Sequence, residues 1–378
     1  MEINKLKNNP AMIKLNLLIN GVNIDKNFKI CKNEALEKYI YDSSITTDLI
    51  LPSEIILPNS IISNIFLENN SLFSLKERYL YYKNERLCNI KLTPEANFSN
   101  CILSDGTPAS RIAVMYGIDV FAIFVNRHCS YFMHKGEGCY FCSIDYTKKN
   151  KGKQNIPELK LKNVIETLNI ALEKDKGLFN YILISSGAYN NPNKGIEHQL
   201  NYIKSMKKIS GRSVRYHLVT IPPTSDELLY SLAEEGPDSI AFDIEVFDPN
   251  IFKKYCPGKE KQIGYERFLN IFEKSSKIFK KNAVKAGFVC GLESIETLSE
   301  GMNFFGKLGI HPSLNIFHPD EGTPLFNYSR PSIEYMLEGL SEQNKITKSY
   351  GLIPIFPEFG RRSSLDTEVY KGFFNETN

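Results

Sequence analysis

From residue 118 to residue 350 the sequence alternates between short apolar, β-branched segments and longer stretches with helical spacing. Strand-like segments fall at 118–125, 181–184, 214–220, 239–246, 283–290 and 313–317. Helix-like segments fall at 157–174, 196–209, 226–235, 264–279, 295–308 and 332–350. Strand–helix units of roughly 30–40 residues imply parallel strands joined by right-handed crossovers. Six units are too few for a closed eight-stranded barrel, so the fold class is α/β, an open partial (β/α)6 TIM-like barrel. Residues 1–110 lack the alternation. Their short apolar runs at 15–19, 49–51 and 55–57 among Pro, Asn and Ser predict a β-rich or α+β appendage. Residues 111–330 make the barrel core, and 331–378 a C-terminal helix and tail. The apolar, aromatic stretch 353–362 is expected to close the barrel mouth.

The loop leaving the first strand carries Cys129, Cys139 and Cys142, the last two in Cys139-Tyr-Phe-Cys142. Loops at strand C-termini are where α/β proteins build sites. Soft thiolates there take zinc or an iron–sulfur cluster. Three thiolates rather than four leave one metal position for another ligand, such as a substrate or cosubstrate. A zinc knuckle completed by His128 or His134 is the alternative, and would make the chain a zinc-binding interaction protein.

Composition narrows the classes. With 46 basic and 43 acidic residues the charge is nearly balanced, which gives no footprint for nucleic acid or a membrane surface. The lysine-rich run 148–153 reads as solvated surface. No stretch reaches the ~18 apolar residues of a membrane span, and the first residues lack a signal-peptide layout. A cytoplasmic protein with reduced, metal-ligating thiols is therefore expected. The remaining cysteines, 31, 88, 101, 256 and 290, are scattered and read mostly as small buried hydrophobes.

A three-cysteine loop after the first strand of such a chain resembles the radical S-adenosylmethionine (radical SAM) superfamily. Its commonest pattern is Cx3CxΦC. Here the first interval is nine residues, and Phe141 holds the aromatic position. Further motifs follow in order. Ser185-Ser186-Gly187 ends the second strand, where relatives place a Gly-Gly-Glu-like turn against the methionine amine of SAM. Asp243 and Glu245, two apart on the fourth strand, share a face. The resemblance implies contacts to the SAM ribose and amine, while a non-radical barrel hydrolase could use the same pair as acid and base. The fifth strand, Ala286-Gly-Phe-Val-Cys-Gly-Leu-Glu293, is similar to the GxIxGxxE run around adenine, with Val289 on the purine, Gly291 in register and Glu293 one residue early. Phe317-His-Pro-Asp-Glu-Gly-Thr-Pro-Leu325 and Cys256-Pro-Gly-Lys259 are similar to runs in biotin-synthase-like members. Ser104-Asp-Gly-Thr-Pro108 is similar to radical SAM proteins found beside nitrilases.

The resemblance implies a [4Fe–4S] cluster on Cys129, Cys139 and Cys142, with SAM on the open iron. It implies reductive cleavage of SAM to a 5′-deoxyadenosyl radical that abstracts hydrogen from a small-molecule substrate in a biosynthetic or tailoring pathway. An oxidoreductase or lyase would result, served by an electron donor such as flavodoxin or ferredoxin. Candidate substrate-binding residues are Arg215, His217, Lys259 and His318. His217 reads equally as a core residue, and the two cations equally as surface ion-pair partners.

Overall fold

The computed structural model describes residues 3–24, 54–146, 158–211, 213–361 and 363–375. The apolar run 49–51, the lysine-rich run 148–153 and Cys31 lie outside the described residues. The chain opens with α1 (Ile3–Asn8) and α2 (Pro10–Asn20), followed by seven short strands. These are β1 (Asn23–Ile24), β2 (Glu54–Leu57), β3 (Ile61–Asn64), β4 (Phe73–Lys76), β5 (Tyr79–Tyr82), β6 (Glu85–Asn89) and β7 (Lys91–Leu92). They form two small sheets, β1-β4-β5-β6 and β3-β2-β7. The appendage is therefore α+β.

The run at 15–19 proves helical. Asn9 caps α2 by accepting from the N–H groups of Ala11 and Met12, and Pro10 occupies the first turn. This Asn–Pro pair is a helix start legible in the sequence. Leu15 and Leu18 of α2 pack into the barrel core, while Ala11, Ile13 and Leu17 pack into the core of the appendage. One helix thus serves two cores.

The barrel strands are β8 (Ala113–Tyr116), β9 (Val120–Phe124), β10 (Tyr181–Ser185), β11 (Arg215–Thr220), β12 (Ser239–Glu245), β13 (Val284–Cys290) and β14 (His311–Ile316). The helices among and after them are α3 (Leu161–Lys174), α4 (Pro192–Ser210), α5 (Asp226–Glu235), α6 (Pro249–Tyr255), α7 (Pro257–Gln262), α8 (Tyr265–Ile278), α9 (Ile295–Lys307) and α10 (Ile333–Tyr350). The six expected strands run parallel in sequence order from β9 to β14. β8 adds a seventh, antiparallel strand at the β9 edge, joined through Gly117 at φ 69°. The sheet does not close, and β14 and β8 are its edges.

Residues alternating outward on the strands meet the helix layer. Phe288 packs edge-on to Phe305 of α9 at 5.7 Å between ring centres, and Phe305 meets Phe272 of α8 at 4.5 Å. Burying each such side chain contributes about 1.5–3 kcal/mol. Helices α6 and α7 were not anticipated, although Asp248-Pro249 and Cys256-Pro257 both place Pro in a first turn.

The segment 353–361 covers the opposite end of the barrel from the one expected. Ile355 and Phe356 pack on Val120 and Tyr181, the first residues of β9 and β10. Those strand starts are apolar and offer the tail a dry surface, whereas the strand ends carry Ser, Asp and Glu. Arg361 pairs with Asp119 at 2.9 Å, lies 4.0 Å over the Phe356 ring and donates to the Tyr116 carbonyl of β8. Ser364 bridges Asn315 of β14. The tail thus touches both edges of the open sheet. Buried Lys14 of α2 ties it down, donating to the Arg361 carbonyl and to Glu368, each at 2.8 Å. The tail then enters α11 (Asp366–Tyr370). Among the described residues no helix is long and apolar enough to cross a membrane.

Candidate active site at the strand C-termini

The cysteine loop leaves the C-terminal end of β9 and is stitched to the turn after β10. Val125 N–H donates to the Ser185 carbonyl at 2.9 Å, Gly187 N–H to Asn126 at 2.8 Å, and Ser130 N–H to Ala188 at 2.9 Å. Asn126 Oδ1 also accepts from His128 N–H at 3.0 Å. The approach is so close that a Cβ on Gly187 would lie 1.9 Å from the His128 carbonyl oxygen and 3.0 Å from Cys129 Cα. Gly187 is thus required where the Ser185-Ser186-Gly187 turn meets the loop. Ser186 spends its hydroxyl on the Gly187 carbonyl at 2.8 Å.

The far end of the loop rests on two other elements. Gly258 N–H donates to the Glu137 carbonyl, and Tyr140 N–H to the Tyr255 carbonyl, each at 2.9 Å. A Cβ on Gly258 would fall 2.4 Å from the Glu137 oxygen and 2.6 Å from the Tyr131 ring. Behind Cys142, Ser143 donates to Asp320 at 2.6 Å, and Asp320 also holds His318 at 2.6 Å. Leu325 N–H reaches the Tyr140 carbonyl at 3.2 Å. The His318–Leu325 run therefore braces the loop.

The three thiols stand within electrostatic reach of one another. Burial pushes Cys129 up to about 11, with Cys139 adding to the shift. Burial likewise raises Cys142. Cys139 is lowered, first by a hydrogen bond with the Cys256 thiol and then, against its burial, by the Lys259 ammonium. Among the described residues no three His, Cys, Asp or Glu side chains are gathered around a single ion. His134 is exposed on the loop, and Phe141 is half-buried against the barrel core. Cys256 is not isolated, since its thiol meets a loop thiol. By contrast, Cys290 is buried in the core.

At the end of β12 the register slips between Asp243 and Glu245, and Glu245 takes φ 71°. A bulge with a left-handed, non-glycine residue is strained, and it re-aims the carboxylate. Asp243 faces Gly287 of β13, where a Cβ would lie 2.0 Å from Asp243 Oδ1. Buried Lys259 bonds Glu245 at 2.5 Å and the Asp243 carbonyl at 2.7 Å. Burial alone would lower this ammonium, but Glu245, Cys139, Cys256 and Asp243 together hold it well above the usual lysine value. Burial pushes Glu245 up to about 7. Lys259 is thus already engaged with the acidic strand rather than free for a substrate carboxylate.

Other candidates separate. Val289 is half-buried on β13, and Gly291 follows the strand at φ 101°. Both oxygens of Glu293 accept from Phe247 N–H, at 3.0 and 2.8 Å, and one accepts from Asp248 N–H at 3.0 Å, so the side chain braces the loop after β12. Arg215 is exposed at the start of β11, about 16 Å of strand from the end where the cysteine loop emerges. His217 is buried, bonded to Ser239 at 2.9 Å and edge-on to Phe356. Phe356 of the tail covers His217 from below, and the structure brings neither residue to the cysteine loop.

The Radical SAM superfamily model matches residues 136–305. That segment of the chain is similar to the radical SAM domain. The match begins after Cys129, so the long first cysteine interval lies partly outside it. The bacteriochlorophyllide c C-7(1)-hydroxylase of Chlorobaculum limnaeum is 30% identical over 118 residues, 31% of this chain. The match covers only 29% of that protein. A radical SAM methyltransferase from Sphaerobacter thermophilus superposes with a TM-score of 0.46 at 14% identity, covering 64% of this chain and 67% of that one. For the FeFe-hydrogenase maturase HydG from Carboxydothermus hydrogenoformans the values are 0.48, 16%, 64% and 55%. Radical SAM enzymes use a [4Fe–4S] cluster and SAM.

Proposed function

We propose that Cys129, Cys139 and Cys142 hold the [4Fe–4S] cluster and that this enzyme acts on a small molecule in a biosynthetic or tailoring pathway. When bound, the cluster and SAM supply reductive cleavage of SAM and abstraction of hydrogen from a substrate carbon. The observation that carries the reading is the meeting of three thiols with the Gly187 turn and the Asp243–Glu245 end of β12 at one face. A [4Fe–4S] cluster would be held by Cys129, Cys139 and Cys142, and with three rather than four thiolates it would have room to bind SAM.

The chain's own residues bind and orient. The Ser185–Gly187 turn and Gly291 after β13 leave backbone exposed to SAM, Val289 packs on its adenine, and Asp243 and Glu245 accept from its polar groups. Lys259 holds Glu245 in its strained conformation and offsets the negative charge of the thiolates. A flavodoxin or ferredoxin is the expected electron source. The alternative of a hydrolase using Asp243 and Glu245 is disfavoured by Lys259, which occupies the carboxylate such an enzyme would need.

Anaerobic reconstitution should give a brown protein that bleaches with dithionite and then converts SAM to 5′-deoxyadenosine and methionine. A colourless zinc protein, or SAM left intact by the reduced holoenzyme, would overturn the reading. Deuterated candidate substrates, with mass analysis of the 5′-deoxyadenosine formed, would identify the substrate.

A further inference from the structure

Residues 137–140 and 255–258 run side by side, closed by the 2.9 Å bonds Gly258 N–H to Glu137 and Tyr140 N–H to Tyr255. Cys139 and Cys256 fall between these two bonds, one on each segment. Cys256 is fully buried, sits at the start of α7 and lies directly opposite Cys139 in this pairing, so that the two thiols interact. The pairing is rigid. Gly258 lacks room for a Cβ against Glu137 and Tyr131, and Tyr131 donates to Gln262 of α7 at 2.7 Å.

We infer that Cys256 is a positioning residue whose thiol donates an S–H···S bond to the Cys139 sulfur and thereby sets the reduction potential of the cluster. This rests on the reading of Cys139 as a cluster ligand. Hydrogen bonds to ligating sulfurs favour the more negative, reduced state, and partners behind the ligands tune iron–sulfur sites. The donor immediately precedes α7, the helix that carries Lys259. Cluster potential and SAM-site charge are therefore set from one short segment, which packs directly on the cysteine loop through Gly258 and Gln262.

The test compares reconstituted wild-type holoenzyme with Cys256→Ala and Cys256→Ser in an EPR-monitored redox titration, with iron content and apo-protein melting as controls. Cys256→Ala should keep wild-type iron and the SAM-induced spectral change. Its reduced-to-oxidised ratio at a fixed potential should fall about tenfold, a drop of 59 mV for a one-electron couple. Cys256→Ser, which keeps a donor, should lie closer to wild type. An unchanged or raised potential in Cys256→Ala overturns the inference. So does loss of iron from that variant, which would make Cys256 itself a ligand. If wild type takes up no cluster, or Cys139→Ala keeps the wild-type spectrum, the underlying site assignment has failed instead.

Discussion

Replacing Gly187 by alanine probes how the barrel positions its cysteines. The new methyl would start 1.9 Å from the His128 carbonyl, inside the 3.4 Å of ordinary contact, and the obstacle is backbone. The cysteine loop must then retreat by about 1.5 Å, or the turn after β10 must. Either movement stretches the Gly187–Asn126 and Ser130–Ala188 bonds beyond hydrogen-bonding range. Losing two partly buried backbone bonds costs about 2–4 kcal/mol. Urea denaturation of the apo-protein should show that loss, and reconstitution should give iron well below wild type because Cys129 is displaced with its neighbour. A Gly187→Ala protein with unchanged denaturation midpoint and full iron would refute the reasoning, since it would mean the loop is not braced by that turn.

Further outcomes are expected. Lys259→Met, by stranding Glu245, should cost about 3–5 kcal/mol at pH 8. Less should be lost near pH 5, where Glu245 takes a proton, and Glu245→Gln added to Lys259→Met should recover part of it in a double-mutant denaturation cycle. His217 is kept neutral by burial, with Lys285 and Arg361 adding to the effect. Below the unfolded value near 6.5 only the unfolded chain gains its proton. Stability should therefore fall as pH drops, by up to about 1.4 kcal/mol per unit, and His217→Gln should remove that share of the slope in urea titrations from pH 7 to 5. Gly287→Ala, whose methyl would meet Asp243, should weaken SAM binding at least about tenfold by equilibrium dialysis with cluster-loaded protein. Cys139→Ala should abolish iron uptake, while Cys290→Ala, buried away from the loop, should leave it intact in iron and sulfide assays.

Local patterns in the chain were sufficient for the barrel. Parallel strands buried on both faces read as continuous apolar runs, and amphipathic helices as 3.6-residue spacing, so β9 to β14 and their helices fall close to their expected places. The cysteines and the Asp243–Glu245 pair stood out as candidates, because their residue types are rare in such a framework without a ligand. Contacts between distant segments were not. Helix α2 and the pair α6 and α7 were missed although Asn9-Pro10, Asp248-Pro249 and Cys256-Pro257 announce them, because short apolar runs leave periodicity ambiguous.

By itself, then, the sequence determined the parallel strand order and placed the three-cysteine loop at the C-terminal end of the first barrel strand. Only the tertiary structure decided that the tail seals the other end, that Lys259 is committed to Glu245, and that Cys256 meets Cys139. Each of these joins residues at least 14 positions apart in sequence. Such contacts depend on how sheet twist and helix packing bring separate loops to one point, which no local spacing encodes.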